Sequence, residues 1–145
     1  MIIGIPKDTK EFESRVAITP DSIKKLIKSG YEIWIQSEAG KDASFSDQVY
    51  IDAGAKICNS QEEIFSSDII LKVNALNKEE LDLIKTPKTI ICFFQIKDEL
   101  DYLQEYIDKE ITLISMSHVP RTSLAQSMDA LSSQSNIAGY KASII

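Results

Sequence analysis

Glycine is scarce in this chain, with five among 145 residues, and none of them falls into a G-x-G-x-x-G turn or a phosphate loop. Nucleotide phosphates are cradled by backbone amides at a helix start, and glycines are what let that backbone come close. The first apolar run leads instead into Lys7-Asp8-Thr9-Lys10-Glu11. That argues against a dinucleotide site complete in itself. Basic residues are also in deficit: 16 Lys and Arg against 22 Asp and Glu give a net charge of −6. With no Lys/Arg-rich block, nucleic acid is not an expected partner. No apolar run approaches the ~20 residues of a membrane span, and Met1-Ile2-Ile3-Gly4-Ile5-Pro6 lacks the basic start and length of a signal peptide. A single histidine and two separated cysteines supply no zinc cluster. Cys58 and Cys92 sit in apolar, strand-like surroundings, so a reduced, cytoplasmic-type protein is expected.

What remains is a core-forming composition, 43% hydrophobic and 26% charged, suited to one domain or a portion of a larger one. Ile/Val/Phe-rich runs at 1–5, 31–36, 56–58, 69–73, 89–94 and 111–116 read as strands, nearly continuous as in sheets covered on both faces. Amphipathic stretches alternate with them at 20–30, 46–53, 60–66, 78–84 and 99–108. In the first, Ile23, Leu26 and Ile27 share a face, Pro20 opens the helix and Gly30 closes it. In the last, Leu100, Leu103 and Ile107 form an apolar stripe. This repetition predicts an α/β fold: a doubly wound, mostly parallel, Rossmann-like or flavodoxin-like sheet with helices on both faces. Binding positions are then expected after the carboxyl ends of strands.

Several polar residues stand where such a site would open. Arg15 can fork onto a carboxylate or phosphate ligand, or pair with Glu11 or Glu13 at the surface. Lys72 ends a buried strand, either facing a site or reaching water along its own stem. His118 follows a strand and lines a site or simply bonds within its loop. The closing stretch gathers Arg121, Gln126 and Asp129 within nine residues. Such a set holds a planar polar ligand without proton chemistry of its own. Ser127 is a plausible helix cap, placing Met128 and Leu131 on one face with Ala138, Ala142 and Ile145. The small Ser132, Ser135, Ala138, Gly139 and Ala142 equally suit a helix packing on a neighbour.

Taken in order, these segments resemble the family of alanine dehydrogenase and proton-translocating NAD(P) transhydrogenase amino-terminal domains. The resemblance is carried by Met1-Ile2-Ile3-Gly4-Ile5-Pro6-Lys7, Arg15-Val16-Ala17-Ile18-Thr19-Pro20, Glu38-Ala39-Gly40 with Ser44-Phe45-Ser46-Asp47, Ala53-Gly54-Ala55, and Asp68-Ile69-Ile70-Leu71-Lys72-Val73. Pro120-Arg121, Ala125-Gln126-Ser127-Met128-Asp129-Ala130-Leu131-Ser132-Ser133-Gln134 and Asn136-Ile137-Ala138-Gly139-Tyr140 are similar to the transhydrogenase branch.

That resemblance implies that Arg121, Gln126, Asp129 and Ser132 contact the nicotinamide of NAD(H), with Ser127 and Met128 nearby. Hydride then passes to NADP(H) held on another component. It further implies NADP(H)-binding and membrane components as partners, a homodimer, and a cytoplasmic location peripheral to the inner membrane. No metal is implied. Residues 1–125 would form an α/β subdomain, and 126–145 the start of a helix leading toward an NAD-binding subdomain. The alternatives are an alanine dehydrogenase-like oxidoreductase, for which Arg15 and Lys72 would hold the substrate, and a non-catalytic dimerisation module. Gln95 stands where the dehydrogenase branch carries a catalytic histidine, which counts against amino-acid oxidation.

Overall fold

The computed structural model describes residues 1–96 and 100–144. Six strands, β1 (Ile2–Ile5), β2 (Glu32–Gln36), β3 (Lys56–Cys58), β4 (Ile69–Asn74), β5 (Thr89–Phe93) and β6 (Thr112–Ser115), form one sheet in the order β3-β2-β1-β4-β5-β6. Every pairing is parallel. Between them run α1 (Pro20–Lys28), α2 (Asp47–Asp52), α3 (Gln61–Phe65), α4 (Lys78–Asp82) and α5 (Leu100–Asp108), and α6 (Ala130–Ile144) follows β6. The six expected strands are all present, within a residue or two at their ends. Glu99 and Ile145, included in the expected helices, lie outside the described residues.

Alternation along the strands builds two cores, one per face. Ile3 and Ile5 of β1 join Ile33 and Ile35 of β2, Ile23 of α1 and Tyr50 of α2. Ile70, Ile90 and Cys92 pack with Ile64 and Phe65 of α3, Leu81 of α4 and Tyr106 of α5. Each such side chain contributes about 1.5–3 kcal/mol by leaving water. Gly4, between Ile3 and Ile5, meets the second core; a Cβ there would lie 2.7 Å from the Ile64 carbonyl oxygen, so α3 rests directly on β1. Cys58 and Cys92 share that core and form no disulfide, and burial pushes the Cys58 thiol up to about 11.

The helix ends follow local chemistry. Thr19 caps α1, its Oγ1 accepting from the Ser22 amide at 3.4 Å, with Pro20 at the first helical position. The α5 stripe departs from expectation. Tyr102, Leu103 and Tyr106 face the core, while Ile107 is 61% exposed; the side chain of Leu100 lies outside the described set. The two tyrosines bury more apolar surface than Ile107 and set the rotation of the helix.

Candidate functional site

In a parallel sheet whose strand order reverses, the crevice forms outside the carboxyl ends at the reversal point. Here the chain winds outward from β1 to β3 and then returns to β4 beside β1. A cleft of about 790 Å³ opens there. The loop after β1 contributes Asp8, Lys10 and Arg15, the end of β4 contributes Lys72 and Asn74, and β5 contributes Phe93 with Gln95. Past β6, Arg121 and the first turns of α6, with Asp129 and Gln134, close the far wall.

The β1 loop is stitched to the end of β4 by contacts more than sixty residues apart. Asp8 Oδ2 accepts from the Asn74 amide at 3.0 Å, and Asn74 Nδ2 donates to Glu13 Oε2 at 2.9 Å. Asn77 Nδ2 donates to Thr9 Oγ1 at 3.2 Å. Arg15 forks onto Glu13, Nε to Oε1 at 2.8 Å and Nη2 to Oε2 at 2.7 Å, with its guanidinium 5.9 Å from the Phe93 ring centre. The Arg15 guanidinium holds the Glu13 carboxyl down at about 2, while Glu13 raises Arg15 above its ordinary value. The pairing with Glu13 is the surface-type reading of Arg15, although Arg15 itself lines the cleft.

Lys72 is buried, not extended to water. Its Nζ donates to Glu80 Oε2 at 2.7 Å, each side chain being 2% exposed. Alternation puts it there, two residues past Ile70 on the same face, and a β-bulge follows: Leu71 faces Ile91 and Asn74 faces Phe93, so three steps along β4 answer two along β5. The extra residue breaks the alternation, leaving Lys72 and Val73 both buried. Glu80 also closes a capping box with Asn77, whose amide donates to Oε2 at 2.9 Å while its Oδ1 accepts from the Glu80 amide at 2.9 Å. Glu80 Oε1 is buried and has no partner among the described residues. Leaving such an oxygen unsatisfied costs on the order of 1–3 kcal/mol.

The expected ligand-contacting residues separate into two groups. Arg121 and Asp129 line the cleft. Gln126, Ser127, Met128 and Ser132 are exposed and outside its lining, the first three in a single 3-10 turn, Gln126–Met128. Ser127 does not cap the last helix; Asp129 does. Its Oδ1 accepts from the amides of Leu131 at 3.1 Å and Ser132 at 3.2 Å, and Oδ2 accepts from Ser132 Oγ at 2.6 Å. A carboxylate at the amino end also meets the helix dipole favourably. The Ser132 hydroxyl and amide, with Arg121 adding its charge, hold the Asp129 carboxyl below its ordinary value. His118 bonds within its loop, Nδ1 lying 2.9 Å from Ser115 Oγ, and is outside the cleft lining.

Asn74, Gln134 and Glu80 were not anticipated from the sequence. Only Glu80 left a readable trace there, the Asn-x-x-Glu spacing of a capping box. The lining carries four cations, Lys10, Arg15, Lys72 and Arg121, and two carboxylates, Asp8 and Asp129; Glu13 and Glu80, bonded to Arg15 and Lys72 from outside the lining, bring the charges level. A cleft so balanced, walled by the amides of Asn74, Gln95 and Gln134, suits a planar polar group better than a polyphosphate. Among the described residues, no group of three or more His, Cys, Asp or Glu is placed to hold a metal ion, and no helix is long and apolar enough to cross a membrane.

Residues 4–138 match the profile of the alanine dehydrogenase/PNT, N-terminal domain. The chain belongs to that family. It is 42% identical to NAD(P) transhydrogenase subunit alpha of Haemophilus influenzae over 144 residues, covering 99% of this chain and 28% of that protein. It is 41% identical to the subunit alpha of Cereibacter sphaeroides, covering 99% and 28%, and 29% identical to alanine dehydrogenase of Bacillus subtilis, covering 100% and 38%. A crystal structure of transhydrogenase from Sinorhizobium meliloti superposes with a TM-score of 0.94 at 32% identity, over 99% of this chain and 43% of that one. An L-alanine dehydrogenase structure gives 0.79 at 28%, over 82% and 33%. The chain therefore spans well under half the length of these relatives, and the doubly wound parallel sheet is common to them.

Proposed function

We propose that this chain is the amino-terminal portion of the NAD(H)-binding component of proton-translocating NAD(P) transhydrogenase, and that the 121–134 wall of its cleft positions the nicotinamide. The observation that supports this best is the joint presence of Arg121 and Asp129 at the switch-point cleft, in a chain alignable over 99% of its length with transhydrogenase alpha subunits. When bound, NAD(H) supplies the hydride; the chain's task is to fix the ring and keep water from it. Hydride transfer requires neither general acid nor base. That fits a wall of guanidinium, amide and helix-cap carboxylate groups with the histidine outside it.

In this reading Gln126, Ser127 and Met128 reach the ring from the turn that precedes α6 and Ser132 from the first turn of α6, and residues 126–145 lead on toward an NAD-binding subdomain. The pyrophosphate and adenosine find no glycine-rich helix start in this sequence, so their grip belongs to polypeptide that the longer relatives possess. NADP(H) sits on a partner component, the assembly is a homodimer at this component, and the chain is cytoplasmic, attached peripherally through membrane partners. The fragment alone is inactive.

In the complete assembly, Gln126→Asn and Asp129→Asn should each slow hydride transfer from NADH to an NADP analogue by about tenfold or more, with thermal midpoints unchanged. Wild-type turnover in both variants refutes the assignment. The alanine dehydrogenase reading is supported by Arg15 and Lys72 lining the cleft, and predicts alanine-dependent NADH production. None is expected, because Gln95 offers no basic nitrogen at that wall and Arg15 is already forked onto Glu13.

A further inference from the structure

Three features of the cleft floor remain unused by the ring-positioning wall. A bulge diverts β4 at Lys72. The lysine beside it is buried and spends one N–H on Glu80, with no other acceptor among the described residues. Glu80 in turn places two donors, Lys72 Nζ and the Asn77 amide, on the single oxygen Oε2 and leaves Oε1 buried without a partner. Stability alone favours neither the bulge nor the pair, since a buried ion pair is often matched or bettered by apolar side chains of similar volume. Bulges and buried unsatisfied groups kept in this way are commonly found where a ligand is handled.

We propose that Glu80 is a positioning residue that aims the Lys72 ammonium into the cleft, where an unspent N–H of Lys72 donates to the carboxamide oxygen of the nicotinamide. This rests on the reading of the cleft as the nicotinamide site. Chemically the match is direct. The carboxamide is the ring's one polar substituent, its oxygen accepts strongly from an ammonium, and a lysine already neutralised by Glu80 adds no net charge beside a ring that is cationic when oxidised. Glu80 joins Lys72 to the capped start of α4, so the donor is fixed by strand and helix together. Asn74 and Asn77, tied to the β1 loop, hold the two sides of the same floor.

The test uses the complete transhydrogenase assembly, reduced NAD, and its thiocarboxamide analogue, in which sulfur replaces the accepting oxygen. Glu80→Gln keeps volume and an acceptor for the Asn77 amide; the double variant Lys72→Met with Glu80→Leu replaces the pair by apolar shapes. The wild-type assembly should bind the oxygen form more tightly. In the double variant the Kd for NADH should rise about 10- to 100-fold, as for loss of a hydrogen bond to a charged donor. The oxygen-over-sulfur preference should collapse while the thermal midpoint stays near wild type. A double variant that binds both forms as wild type does overturns the proposal. Should it fail to assemble, the oxygen-over-sulfur ratio of Glu80→Gln decides in the same way. A wild-type assembly that moves no hydride from NADH sinks the functional reading itself; normal wild-type transfer with an unaltered ratio in Glu80→Gln sinks only this inference.

Discussion

Glu13 shows how a single side chain can serve both site and stability. Its carboxyl, ordinarily near 4.5, is held at about 2 by Arg15. The folded state therefore prefers the ionised form, and the stabilisation is complete above about pH 4.5 and is lost as pH falls through about 2. Because Arg15 is 45% exposed, solvent screens some of it. Glu13→Gln should accordingly lower stability at neutral pH and flatten its decline between those two values, read from urea unfolding at a series of pH. Parallel pH profiles for the two proteins would contradict the ion pair.

Asp129 offers a cleaner separation of roles. Asn is as good a helix cap as Asp, so Asp129→Asn removes charge beside Arg121 while keeping α6, whereas Asp129→Ala removes the cap at about 0.5–2 kcal/mol. Since no residue of α6 is buried, that cost should appear as lost helicity in far-ultraviolet circular dichroism, without a shift in the midpoint of the core. A shifted midpoint would mean that α6 is coupled to the sheet.

Among the elements, β1 and α3 meet without room for a side chain between them. An added methyl at Gly4 would stand 2.3 Å from Ser67 Oγ and 2.7 Å from the Ile64 carbonyl oxygen. Gly4→Ala should cost about 1–3 kcal/mol through overpacking, measured as a lower denaturant midpoint with unchanged slope. Ser67→Ala should return only some of the loss, because the backbone oxygen of Ile64 stays in place. Full recovery would show that the hydroxyl alone was in the way. The same scale explains what could be read in advance. The inner strands were legible because doubly covered parallel strands write themselves as apolar runs, and the partly exposed edge strands β3 and β6 kept enough Ile and Leu to be read with them. The bulge at Lys72 was not, since it depends on how β4 meets β5 and leaves no composition signal. Ser127 was preferred as the cap because serine suits that position, yet Asp129 reaches two amides and a hydroxyl where Ser127 lies two residues too early. The choice between Ile107 and Tyr106 for the core was decided by neighbours far away in sequence.

For the whole molecule, order should be uneven. Two cores clamp the central strands, while α6 extends without a buried residue, and a fifteen-residue helix alone is marginal in water. Hydrogen exchange on this chain should find the slowest amides in β1, β4 and β5 and near-unprotected amides across α6. Protection of α6 equal to that of β1 would require a partner surface for it. The candidate site was legible at this scale only as a location, the carboxyl ends of the strands; its charge balance needed the fold, because Glu13 and Glu80 meet their cations through loops and caps.

The uniform direction of the strands has a practical corollary for anyone wishing to attach this protein to something else. The corner between α1 and β2, where Gly30 adopts φ +88° with open space around it, lies at the amino edge of the sheet, remote from the cleft mouth. A tether or fluorescent tag inserted there would leave the mouth unobstructed, so a bead- or electrode-bound sample could be titrated with candidate ligands from the open side.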